Sequence, residues 1–151
     1  MKFWDTSAMA ATMLGEPVGA RLRALLEADM NPVVWWGTSV ECAAALARAG
    51  RDGRLAGEGV QRGVAALREL ESRWTEVPPS ESVRATAERL VQRHPLRAAD
   101  AFQLAAALEW ADQRPTPAHG FVTLDHRLGA IAAREGFGLA IETPPPAPAA
   151  G

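Results

Sequence analysis

A chain of 151 residues, 48% of them apolar and 23% charged, is long enough to bury a core without disulfides or structural metal, and its composition excludes a fibrous or wholly disordered protein. Its net charge of −2 gives no basic excess of the kind that advertises a polyanion partner, and no apolar run reaches the roughly 18 residues of a membrane span. One soluble domain with no membrane association is expected. The amino end carries Lys2 and then Phe3-Trp4, without the basic region, apolar stretch and cleavage site of a secretory signal, so the expected location is cytoplasmic.

Lys2 to Trp4 reads as a short strand, followed by a helix from near Ser7 to Leu14, where Gly15 supplies a stop. Val18 to Ala28 is a second helix, with Leu22, Leu25 and Leu26 on one face, and Asn31-Pro32 breaks it. Val33 to Trp36 is a β-branched and aromatic run bounded by Pro32 and Gly37, the pattern of a buried strand. Thr38 or Ser39 is expected to cap the next helix, which runs through Gly50 with Glu41 in its first turn and the lone Cys42 as a small buried side chain.

A Gly-rich bend leads to an amphipathic helix from Val60 to Ser72 with Val64, Leu67 and Leu70 as its stripe. Trp74 to Val77 is a third strand, and Ser80 or Ser82 caps a helix that ends at His94-Pro95. The most helical stretch is Arg97 to Ala111, with Asp100 near its start. Gly120 to Leu124 is strand four, Asp125 to Arg134 a short helix stopped by Gly136, and Leu139 to Ile141 a last strand. Residues 143–151 form a Pro/Ala-rich tail with nothing to bury, expected to be disordered.

Strands alternating with helices predict an α/β protein, a parallel sheet covered on both faces, in which ligands bind at the carboxyl ends of the strands. Four acids fall near those ends: Asp5, Glu41, Asp100 and Asp125. Taken singly, Asp100 or Asp125 reads as a helix cap. Jointly the four are harder to explain that way, because their surroundings are apolar and carboxylates converging in a dry cleft need a cation or a proton. A divalent metal with a preference for oxygen ligands, Mg²⁺ or Mn²⁺, supplies that charge, can activate water and can neutralise a phosphoryl group under attack. Setting the four aside from the 18 acidic residues leaves 14 against 16 basic ones, a surface no longer hostile to nucleic acid.

The hydroxyls of Thr6, Ser7 and Thr123 are candidates for steadying a carboxylate or touching phosphate, with capping as the simpler reading. Gln103 lies one turn after Asp100 and faces either the cleft or solvent. His94, His119 and His126 share no ligand spacing and read as loop or surface residues. Arg97 and Arg127 are placed to contact phosphate or to form ion pairs, the second being the simpler assignment.

In order and spacing the segments Asp5-Thr6-Ser7, Ser39-Val40-Glu41, Arg97-Ala98-Ala99-Asp100-Ala101 and Val122-Thr123-Leu124-Asp125-His126-Arg127-Leu128 resemble those of PIN-domain ribonucleases, in particular the VapC-type toxins of toxin–antitoxin pairs. The resemblance covers residues 1–142. It implies a PIN-like three-layer α/β/α domain with a central parallel sheet of four to five strands. It also implies a metal-dependent endoribonuclease with Asp5 and Asp100 as principal ligands and Glu41 and Asp125 completing the site. The implied partners are an RNA substrate, an antitoxin whose chain lies in an apolar groove, and a second copy in a homodimer.

A haloacid-dehalogenase-type phosphatase needs an acid where this chain has Ser7, and a receiver domain needs a late Lys where the only lysine is Lys2. The remaining alternative is a PIN-like module that binds protein or RNA without cleaving it. Among the tryptophans, Trp4, Trp35 and Trp36 are expected in the core and Trp110 at the surface.

Overall fold

Phe3 and Trp4 adjoin in sequence yet belong to two different hydrophobic cores, as a strand buried on both faces requires. The computed structural model describes residues 1–141; residue 142 and the expected tail lie outside them. In chain order the elements are β1 (Lys2–Trp4), α1 (Thr6–Ala11), α2 (Gly19–Ala28), β2 (Val33–Trp35), α3 (Thr38–Arg51), α4 (Gly57–Glu71), β3 (Thr75–Val77), α5 (Glu81–Arg93), α6 (Ala98–Trp110), β4 (Gly120–Val122), α7 (His126–Glu135) and β5 (Gly138–Leu139). The five strands form one sheet in the order β3-β2-β1-β4-β5, with every pairing parallel.

Side-chain alternation sorts the helices into two layers. Phe3, Val33, Trp35, Val77 and Phe121 point to the core shared with α5, α6 and α7. Trp4, Val34 and Val122 point to the core shared with α1 to α4. The expected three-layer arrangement with a parallel sheet is therefore present. Among the described residues no helix is long and apolar enough to cross a membrane.

Several local expectations need correction. Neither Thr38 nor Ser39 caps α3; the cap position is Gly37, without a side-chain bond, while the Ser39 hydroxyl donates to Glu71 on α4. Val64 is 40% exposed, because α4 packs on α3 through Gly63, whose Cα lies against Leu46; a glycine adds nothing to an apolar pattern, so Gly63 takes the place expected of Val64 while Leu67 and Leu70 keep theirs. β4 stops at Val122, two residues earlier than expected. Trp36 is 55% exposed because β2 ends at Trp35 and the next residue emerges at the carboxyl edge of the sheet. Trp110 is half-buried, edge-on to His119 with ring centres 5.3 Å apart. Gly136, at φ 112°, closes α7 in the left-handed conformation expected of a glycine stop.

Candidate active site

β1 delivers Asp5 to the carboxyl edge of the sheet, where its backbone N–H still bonds Val122 O at 2.9 Å. Its side chain caps α1 and is 4% exposed. Oδ2 accepts from the Ser7 N–H at 3.2 Å and from the Ser7 hydroxyl, and from Thr123 Oγ1 at 2.8 Å. Ser7 Oγ also accepts from Leu124 N–H at 2.9 Å, and Thr123 Oγ1 from Asp125 N–H at 3.0 Å. The junctions β1–α1 and β4–α7 are thus tied around one carboxylate oxygen, and Oδ1 stands outside that cradle. Burial pushes the Asp5 pKa up, the Ser7 and Thr123 bonds oppose the shift, and repulsion from Asp100 adds to it.

Glu41 rises from the first turn of α3. Gln103, on α6 and 1% exposed, directs Nε2 to Thr6 Oγ1 at 2.6 Å and to Glu41 Oε1 at 3.4 Å. Thr6 also favours the charged form of Glu41, and Thr38, fully buried, lies 3.5 Å from both Thr6 Oγ1 and Gln103 Nε2. Gln103 therefore faces the cleft. Its Oε1 is buried without a hydrogen-bond partner among the described residues. Burial raises the Glu41 pKa, with Asp5 and Asp100 contributing repulsion.

Asp100 sits in the first turn of α6, a helix buried from Gln103 to Leu108, while Asp100 itself is half-buried at the rim. Burial, then the charge of Asp125, raises its pKa against the opposing pull of Arg97 and Arg127. Asp125 caps α7, its Oδ1 accepting from Arg127 N–H at 2.8 Å and Leu128 N–H at 3.0 Å. Asp100 and Asp125 share a polar pocket with Arg97 and Arg127. Neither arginine makes an ion pair within 4 Å among the described residues, so the simpler sequence assignment fails; Arg127 instead donates to Pro95 O at 3.0 Å.

The four acids are electrostatically linked in a chain: Glu41 with Asp5 and Asp100, Asp5 with Asp100, and Asp100 with Asp125. They do not form a closed cage; among the described residues no three His, Cys, Asp or Glu side chains stand as a ready-made metal group. The donor set nonetheless suits a hard divalent cation. It consists of carboxylates with hydroxyl neighbours, and Mg²⁺ needs only one or two protein carboxylates and retains water.

Sequence reasoning missed Thr38, which lies one turn before Glu41 on α3; Ser7 and Thr123, which it named as candidates for steadying a carboxylate with capping as the simpler reading, do steady one, and both act on Asp5. The histidines stay outside. His94 pairs with Glu135 at 2.8 Å, His119 bonds Thr116, and His126 is exposed. Cys42 is buried, and burial together with nearby carboxylates pushes its thiol up to about 12, an unreactive state at neutral pH.

The family described as PIN domain matches residues 2–133. Among solved structures, a toxin–antitoxin complex from Klebsiella pneumoniae is similar at 17% identity and TM-score 0.61, covering 86% of this chain and 91% of that one. Mycobacterium tuberculosis VapC20, described as a sarcin–ricin-loop-cleaving toxin, is similar at 17% identity and TM-score 0.60, covering 87% and 95%. No curated protein sequence matches.

Proposed function

This chain belongs to the PIN-domain family, and from that premise we propose that it is a metal-dependent endoribonuclease, the toxin of a toxin–antitoxin pair, which hydrolyses RNA phosphodiester bonds. The observation that carries this reading is the arrangement of Asp5, Glu41, Asp100 and Asp125, from four separate segments, as a chain of repelling neighbours at the carboxyl edge of a parallel sheet, with Asp125 linked through Asp100.

Asp5, locked by Ser7 and Thr123, and Asp100, at the start of a rigid helix, are the principal ligands for Mg²⁺ or Mn²⁺. Asp125 keeps Oδ2 clear of its capping bonds. Bound there, the ion supplies positive charge for the phosphoryl oxygens and acidifies water. Glu41, oriented by Gln103, receives the proton of the attacking water as the water oxygen bonds phosphorus and the P–O bond to the leaving ribose breaks, the leaving oxygen taking a proton from solvent. Asp5→Asn should abolish RNA cleavage in Mg²⁺ or Mn²⁺; cleavage unchanged by that substitution, or present in EDTA, overturns the reading. RNA binding without cleavage by the wild-type protein would assign the chain to the non-cleaving alternative.

A solved neighbour is described as a toxin–antitoxin complex, which supports a protein partner for this chain. A groove between α2 and α4, lined by Thr12, Met13, Leu26, Ala66 and Leu70 among others, is offered as its seat, and a homodimer as the free state. Growth arrest on expression alone, relieved by a co-expressed neighbouring gene product, tests the pairing. Sedimentation tests the dimer.

A further inference from the structure

Beside the acids the sheet edge carries an aromatic pocket that the hydrolytic chemistry leaves unused. Trp35 and Phe102 stack with ring centres 5.5 Å apart and planes 5° from parallel. Trp36 stands edge-on to Trp35 at 73° and is 55% exposed. With Pro79, Ser80, Glu81 and Arg84, the stacked pair lines an open cavity of about 300 Å³. Trp36 does not line that cavity itself but reaches it through its contact with Trp35.

The pocket adjoins the acidic cleft. A Cβ on Gly37 would fall 2.7 Å from Trp35 Nε1 and 3.7 Å from Glu41 Oε1, so the indole and the carboxylate flank the same residue. Phe102 comes from the same helix, α6, as Asp100 and Gln103, and turns to Trp35. At the mouth, Arg84 and Glu81 pair at 3.0 Å, which cancels their charges and makes this a poor seat for a phosphate. Flat apolar walls with a neutralised rim suit an uncharged ring.

We propose that this pocket is a nucleobase subsite, taking one unstacked base of single-stranded RNA next to the phosphate presented to Asp5, Glu41, Asp100 and Asp125. The proposal rests on the ribonuclease reading. Recognition by stacking on Trp36 and on the exposed part of Phe102, which Trp35 backs from the core, requires the base to be splayed from its neighbours, which single strands and loops allow and an A-form helix does not.

The test measures binding of the full chain in EDTA to a single-stranded RNA of about 12 nucleotides, within the footprint of single-strand binders, and to its abasic ribose-phosphate counterpart. Wild-type protein should prefer the base-bearing strand roughly 10-fold or more. Trp36→Ala and Phe102→Leu, the first a surface change that does not threaten folding, should reduce that preference several-fold while leaving affinity for the abasic strand unchanged. No preference in the wild type, or one that persists in both variants, overturns the proposal. A Trp36→Ala protein with altered dimerisation and unaltered base preference assigns the face to a second copy and also overturns it. Cleavage in Mg²⁺, scored separately, distinguishes the two readings: base preference without cleavage removes the nuclease assignment alone, and cleavage without base preference removes the subsite alone.

Discussion

Thr123 Oγ1 donates to Asp5 Oδ2 at 2.8 Å across 118 positions of sequence, so the hydroxyl at the end of β4 fixes the carboxylate at the end of β1. Thr123→Val keeps the shape and removes the donor. The expected result is a loss of about 1–2 kcal/mol in urea unfolding and a roughly 10-fold fall in cleavage rate, since a carboxylate turned away from its productive direction loses catalytic alignment. An unchanged rate would mean that Ser7 alone holds Asp5.

Asp5, Glu41 and Asp100 each have a folded-state pKa raised first by burial. For a raised carboxylate the favourable contribution is fully present below the unfolded pKa, about 4, and is lost as pH rises through the folded value. Metal-free Asp100→Asn protein should therefore melt above wild type at pH 7, with the gap closing toward pH 4. Saturating Mg²⁺ should narrow it from the other side by stabilising wild type alone. Thermal melts across pH, with and without metal, check both trends.

Asp29, at the amino edge of the sheet, tests the opposite sign. Its side chain is buried and accepts from Lys2 N–H at 2.9 Å and Trp4 Nε1 at 3.0 Å. Burial works against the charge, but the Trp4 bond, the Met1 amino group and Lys2 outweigh it and hold the pKa below the usual carboxylate value. Its contribution is present above the unfolded pKa and lost as pH falls through the folded one. Asp29→Ala should cost on the order of 3 kcal/mol at pH 7 by stranding two buried donors. Because Asp29 lies at the far end of the strands, the kcat of the protein that remains folded should not change.

Arg97 and Arg127 flank the Asp100–Asp125 pocket without ion-pair partners within 4 Å among the described residues. Alanine at either position should weaken RNA binding across sequences and lower the slope of log K against log salt by about 0.7. Binding isotherms at several salt concentrations read this directly, and an unchanged slope would place both side chains off the RNA path.

The alternation of strands and helices is legible in the sequence because β1 to β4, though three residues long, carry Val, Phe or Trp, and β2 and β3 abut Pro32 and Pro78; β5, a Gly-Leu pair at 138–139, begins one residue before the expected strand. The four acids are legible from their position at strand ends and helix starts. The Ser7–Thr123 cradle is not, because it joins residues brought together only by the parallel pairing of β1 with β4, and a hydroxyl near a helix start looks the same whether it caps or supports a carboxylate. Trp36 is misjudged because pattern alone extends β2 by one residue, and that residue decides whether an indole meets core or solvent. The exposed Val64 on α4 has a related cause: Gly63 makes its contact through the absence of a side chain.

The proposed shared metal site is tested most directly by calorimetric titration of Mn²⁺ into wild-type protein and into Asp5→Asn and Asp100→Asn, each confirmed folded by circular dichroism. The expected result is saturable binding by the wild type, weakened roughly 10-fold or more in both variants, as loss of a charged ligand requires. Equal affinity in all three proteins, or no binding by the wild type, would contradict a common ion held between the ends of β1 and the start of α6.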